Sequence, residues 1–200
     1  MDNLDSIKEQ LVLASKRAYR RGIQTGSGGN ISARVPGKEL MIVKASGNSL
    51  EDCTANSFLI TDFDGNLVEG NGKPTREALL HGYLYRICSD VNAVIHCHSP
   101  YSIGWAATHT SLPCVTWHSK LRLCTDIPVL NVPAAVVKPE YFHMVKEIYD
   151  QYPGLPAFLL VDHGVVVVAK DPVNAEHTAE LIEETAQIAF LEATAKKLSL

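Results

Sequence analysis

The chain has 200 residues, 46% of them hydrophobic, enough for one globular domain over residues 1–200 that buries about 70% of the surface its unfolded chain would expose. A formal net charge of −4 argues against the basic face that a nucleic-acid partner requires. Five scattered cysteines without a C-x-x-C pair exclude a disulfide framework and fit reduced thiols; with no basic-then-apolar leader and no apolar run near the ~18 residues of a membrane span, a cytoplasmic protein without a membrane partner is expected.

From Leu4 to Arg21 the apolar residues recur at three- and four-residue intervals, the stripe of an amphipathic helix that stops at Gly22. The glycine-rich segment Thr25 to Ser32 follows as a loop, leading into a hairpin of Ile31–Val35 and Glu39–Lys44. Phe58–Asp62 and Asn66–Glu69 flank Asp64-Gly65 and predict a second hairpin. Pro74 is expected in the first turn of a helix over Thr75 to Ile87, on which Glu77 and His81, four apart, share a face. Val91 to His98 reads as a strand, and the β-branched run Leu159 to Ala169 as one or two buried strands. Asp171-Pro172 supplies a cap and a first-turn proline for a long helix from Val173 to Leu198. Interleaved strands and helices predict an α/β layered domain with one sheet.

In Ile95-His96-Cys97-His98 the period of two turns both imidazoles to one face of a strand, where they can converge on one ion. His163, in the second β-like region, is followed by Gly164, which permits a turn or a close approach of backbone. Three histidines with open positions describe a catalytic zinc-type site, and neutral imidazole also suits other divalent ions such as Mn2+ or Co2+. A histidine standing alone in a strand is more often a hydrogen-bonded core or surface residue than a metal ligand, so a metal site needs all three together. A cupin-type use of H-x-H wants a glutamate shortly downstream, where Ser99-Pro100-Tyr101-Ser102 stands instead.

The ordered motifs Gly28-Gly29-Asn30-Ile31-Ser32, Ser46-Gly47, Lys73-Pro74-Thr75-x-Glu77-x-x-x-His81, His96-x-His98 and His163-Gly164 resemble the class II aldolase and adducin-head family over nearly the whole chain. The resemblance implies a three-layer α/β/α sandwich around one largely antiparallel sheet, a homotetramer with sites at subunit interfaces, and zinc held by His96, His98 and His163. It puts the metal-proximal catalytic carboxylate on Glu77 and the substrate phosphate on Ser27, Gly28, Asn30, Ser46, Gly47 and Thr75. Glycine-loop N–H groups and a helix N-terminus opened by Pro74-Thr75 suit that anion.

Breaking a bond next to a carbonyl leaves an enediolate, which a divalent cation stabilises as a Lewis acid. Glu77 is then the acid or base, its bland alternative being a glutamate that complements the helix dipole. Arg76 stands where fuculose-phosphate enzymes carry a serine, and is either a bidentate clamp for carboxylate or phosphate or a solvent-facing arginine. Trp117-His118 replaces the expected catalytic tyrosine after Leu112-Pro113, and the tyrosine-bearing tail is missing beyond Leu200; His118, Lys120 and Arg122 are the compensating candidates. The leading expectation is a zinc-dependent sugar-phosphate aldolase of the L-fuculose-1-phosphate type. The alternatives are a 3-oxo-tetronate 4-phosphate type decarboxylase, which a basic residue before the glutamate resembles, and a non-enzymatic interaction module.

Overall fold

A computed structural model describes residues 3–199. The elements in chain order are α1 (Asn3–Arg20), β1 (Asn30–Arg34), β2 (Leu40–Lys44), β3 (Phe58–Asp62), β4 (Leu67–Glu69), α2 (Ala78–Ile87), β5 (Ala93–Cys97) and α3 (Pro100–Ala106). There follow β6 (Ser111–Leu112), α4 (Trp117–Leu123), β7 (Ile127–Leu130), α5 (Phe142–Gln151), β8 (Ala157–Leu160), β9 (Gly164–Ala169) and α6 (Pro172–Leu198). The strands form one sheet in the order β4-β3-β2-β1-β5-β9-β8-β7-β6. Every neighbouring pair is antiparallel except β7 and β8. This is the expected α/β fold with a largely antiparallel sheet.

Period-two alternation sorts the sheet's side chains into two cores. Ile31 and Ala33 of β1, with Ala93, Ile95 and Cys97 of β5, pack toward α1, α3 and α6. Val94 of β5 and Val166 and Val168 of β9 pack on the other side with Leu80, Leu84 and Tyr85 of α2 and Val145 of α5. His96 falls on that second face by the same alternation, and so does Asn30, its direct partner across the β1–β5 ladder. The long helix α6 is capped by Asp171, whose Oδ1 accepts from the Asn174 N–H at 2.8 Å. Its buried stripe, Ala175, Ala179, Ile182, Ala186 and Ala189, is mostly alanine, which lets the helix lie close on β5 and β9.

Both expected hairpins are present as β1–β2 and β3–β4. The start of α2 differs from the expectation. Pro74 does not open a helix: it pairs with Ala45 as an isolated bridge, the Thr75 N–H donates to the Lys44 carbonyl at 3.1 Å, and α2 starts at Ala78. Extension of the chain alongside the end of β2 satisfies backbone groups that a first helical turn would leave open, so the tertiary pairing overrides the local preference of proline.

Candidate metal centre

The antiparallel ladder gathers the ends of several strands at one end of the sheet. β1 begins there, β5 and β2 end there, and β9 starts there after the turn Val161 to His163. His96 is the fourth residue of β5, His98 lies just past its end, and His163 closes the β8–β9 turn. Their ring centroids are 4.8 Å (His96–His98), 4.6 Å (His96–His163) and 5.2 Å (His98–His163) apart. One ring nitrogen from each lies within 4.8 Å of the other two, a span that a single cation can bridge.

Gly164 makes this closeness possible. Its φ is +146°, and a Cβ there would lie 2.1 Å from the carbonyl oxygen of Cys97. Only glycine lets β9 come up to the end of β5 with His163 beside the histidine pair.

The His96 ring is oriented from behind. Its Nδ1 donates to the Val165 carbonyl at 3.0 Å, since a carbonyl can only accept, and this leaves the Nε2 lone pair facing the cluster. That Nε2 is buried and has no hydrogen-bond partner. Glu77 lies opposite, with Oε2 3.5 Å from His96 Nε2 and held by a hydrogen bond from Asn30 Nδ2 at 2.9 Å. Its other oxygen, Oε1, is buried without a partner. His96 Nε2 and Glu77 Oε1, buried polar atoms without a partner on two neighbouring groups, together with two further imidazoles make a donor set that a divalent cation satisfies, so the residues fit one.

Electrostatics keep the donors neutral. Burial pushes His96 down to about 3, with neighbouring His98 adding to the shift. Burial and the nearby His96 take His163 down to about 4, and burial lowers His98 as well. Uncharged imidazole is the form that ligates metal. Behind Glu77, fully buried His81 is held down to about 4 by burial; its Nδ1 lies 2.7 Å from Ser32 Oγ, which in turn contacts the Tyr85 hydroxyl at 2.7 Å.

A cavity of about 290 Å³ opens over this cluster. Ser27, Gly28, Asn30, Ser46, Gly47, Thr75, Arg76, Glu77, His98 and His163 all line it, so the anion residues expected from the resemblance share one chamber with the histidines; His96 lies beneath them, fully buried. At the N-terminus of α2, Glu77 occupies the N-cap and its carboxylate lies against His96. The Thr75 and Ser46 N–H groups are taken by the carbonyls of Lys44 and Lys73.

Two residues in the site carried no expectation. Lys44 lines the cavity while being only 1% exposed; its ammonium donates to the Ala45 carbonyl at 3.2 Å, and no carboxylate stands within 4 Å of it among the described residues. Burial lowers its pKa. A lysine closing the apolar run Leu40 to Val43, immediately before Ala45-Ser46-Gly47, is the sequence signal that marks it. Gln24 has no such signal. His118 and Arg122 instead line a separate groove with Arg17, Arg21 and residues of α6, and Lys120 lies over the Trp117 ring. Within one chain this basic cluster does not reach the histidines, because α4 packs against α6 on the opposite layer from α2.

Residues 9–190 match the family described as Class II Aldolase and Adducin N-terminal domain. The chain is 29% identical over 187 residues to a 3-oxo-tetronate 4-phosphate decarboxylase of Haemophilus influenzae, spanning 92% of this chain and 86% of that protein. Its fold superposes on an L-fuculose 1-phosphate aldolase with a TM-score of 0.82 at 25% identity, covering 94% of this chain and 87% of the other. An L-fuculose-1-phosphate aldolase of Thermus thermophilus shares the fold at a TM-score of 0.80 and 21% identity, over 98% of both chains. By this match along nearly all of its length, the chain belongs to the class II aldolase and adducin family.

Proposed function

We propose that the chain is a zinc-dependent lyase that breaks a carbon–carbon bond in a small phosphorylated sugar, in the manner of an L-fuculose-phosphate aldolase, with Mn2+ or Co2+ as possible substitutes for zinc. The observation that carries this reading is the cluster of three neutral imidazoles beside a buried carboxylate, Glu77, whose Oε2 lies 3.5 Å from His96 Nε2 and whose Oε1 has no partner. His96, His98 and His163 would hold the ion. When bound, such an ion supplies Lewis-acid stabilisation to negative charge developing on the oxygens beside the cleaved bond.

The chain's own residues do the rest. Glu77, oriented through Oε2 by Asn30, presents Oε1 to take or return the proton at the carbon or oxygen next to that bond. Lys44 beneath, with the hydroxyls of Ser27, Ser46 and Thr75 and the loop at Gly28 and Gly47, forms a polar, cationic end suited to a phosphate. Holding the phosphate there fixes the reacting carbons over the histidines. Replacing His96 or His163 by alanine is expected to abolish both zinc content and turnover; full activity in metal-stripped protein refutes the reading.

A second reading, decarboxylation of a phosphorylated keto sugar acid, is favoured by Arg76. It stands at the cavity rim close enough for its charge to help depress His163, giving the cavity a second fixed cation for a substrate carboxylate. Products released from a panel of ketose 1-phosphates and keto-acid phosphates, with zinc, manganese or cobalt added, separate the readings: aldehyde supports the first and carbon dioxide the second. Assembly as a cytoplasmic homotetramer is part of the same proposal.

A further inference from the structure

Gln24 sits in the turn after α1 and is 1% exposed. Its Oε1 accepts a hydrogen bond from the main-chain N–H of His98 at 2.8 Å, and its Nε2 donates to the Thr25 carbonyl at 2.7 Å. One amide thus links the start of the glycine-rich loop to the end of β5, His98 lying 74 residues beyond Gln24 in the chain. Its orientation has no degenerate alternative: reversing it would set donor against donor at His98 and acceptor against acceptor at Thr25.

The loop is shaped around this side chain. A Cβ at Gly28 would lie 2.7 Å from Gln24 Nε2 and 2.7 Å from His98 Nδ1, and one at Gly29 would lie 2.6 Å from Gln24 Oε1. Neither position has room for a methyl group while Gln24 keeps its place. The two glycines are therefore seated on the amide, and the same amide holds the backbone that carries the His98 ring.

We propose that Gln24 is a positioning residue that sets the spacing between the cation end and the anion end of the cavity, by fixing His98 with its oxygen and the glycine-rich loop with its nitrogen. The proposal rests on reading the histidine cluster as a metal site. Its two hydrogen bonds are separable, because glutamate keeps the acceptor for His98 and loses the donor to Thr25, whereas leucine fills similar space and loses both.

The full chain carrying Gln24→Leu or Gln24→Glu is compared with the parent by amide hydrogen exchange at His98 in metal-free protein, by zinc affinity against a chromophoric chelator, and by affinity for inorganic phosphate. Gln24→Leu is expected to speed exchange at His98 and weaken zinc about tenfold, the usual scale for a group that orients a ligand. Gln24→Glu is expected to keep the His98 protection and lose phosphate affinity. Unchanged exchange and zinc affinity in Gln24→Leu overturn the proposal, as do identical effects of the two substitutions, which would mean packing alone. Should Gln24→Leu fail to fold, loss of His98 protection in Gln24→Glu overturns it and retention supports it. A parent chain that binds no zinc sinks the metal reading instead, and exchange at His98 then decides the role of Gln24 by itself.

Discussion

His96 gives up one nitrogen to the Val165 carbonyl and keeps the other free toward Glu77, and this asymmetry organises the site. Glu77 is similarly divided, with Oε2 engaged by Asn30 and Oε1 unpartnered. Glu77→Gln preserves the shape and removes the proton-accepting charge, so turnover is expected to fall about 10²- to 10⁴-fold while the three imidazoles still take up zinc. Steady-state kinetics beside metal analysis of the same sample check this, and a Gln variant with parental turnover would remove Glu77 from the chemistry. Acid behaviour follows from the same burial. His81 and His96 titrate near 4 and 3 when folded, against an ordinary 6.5. Because the folded values lie below the unfolded one, the unfolded chain binds protons first as pH drops; stability of the metal-free protein is whole above about 6.5 and is lost as pH falls toward 4. For His81 alone the gap corresponds to on the order of 3 kcal/mol. Urea midpoints measured either side of pH 6.5 should shift accordingly, and His81→Phe should flatten the slope. An unchanged slope in that variant contradicts the assignment.

At the scale of elements, the β8–β9 turn shows how little sequence is needed to place a side chain. His163 N–H donates to the Leu160 carbonyl at 3.2 Å to close the turn, and Gly164 then lets the strand pass the end of β5. Gly164→Ala would set a methyl group against backbone atoms of Cys97 and His98 at a positive φ. A loss on the order of 3 kcal/mol or more is expected, together with weakened zinc uptake, because the turn must move outward and carry His163 with it. Thermal melting and zinc titration test both parts; a variant as stable and as zinc-competent as the parent would refute the packing argument. Much of this was legible in the sequence for physical reasons: H-x-H converges because strands alternate, glycine after His163 marks a close approach, and Asp171-Pro172 caps a helix locally. What escaped depends on distant partners. Pro74 obeys its pairing with Ala45 rather than a helical preference, and Gln24 is meaningful only because His98 arrives beside it. The helix α5 packs Phe142, Val145, Ile148 and Tyr149 against the core at three- and four-residue intervals, a stripe that runs over only ten residues.

For the whole molecule, antiparallel alternation brings the loops before β1, after β2, after β5 and before β9 to one end of the sheet, so the cavity follows from topology once the strand order is set. α3, which leads the chain away from His98, is anchored by Glu183 of α6, whose carboxylate accepts from the N–H groups of Tyr101 and Ser102 at 2.8 and 2.9 Å. The same helical layer also carries a different kind of surface. Trp117 and Leu121 of α4, four residues apart and hence on one helix face, are 80% and 74% exposed. Phe190 and Leu191 of α6 are also more than half exposed. Apolar side chains of this size left open favour association, and a second copy of the chain is the occupant expected from the tetramer reading. If these side chains form the contact, replacing Trp117 and Leu121 together by serine removes apolar surface that only an assembly buries. The particle should then sediment at a lower mass, with the fold of each subunit retained by circular dichroism. A parent chain that sediments as a monomer at micromolar concentration, or a double variant with unchanged mass, would show that α4 does not carry the assembly.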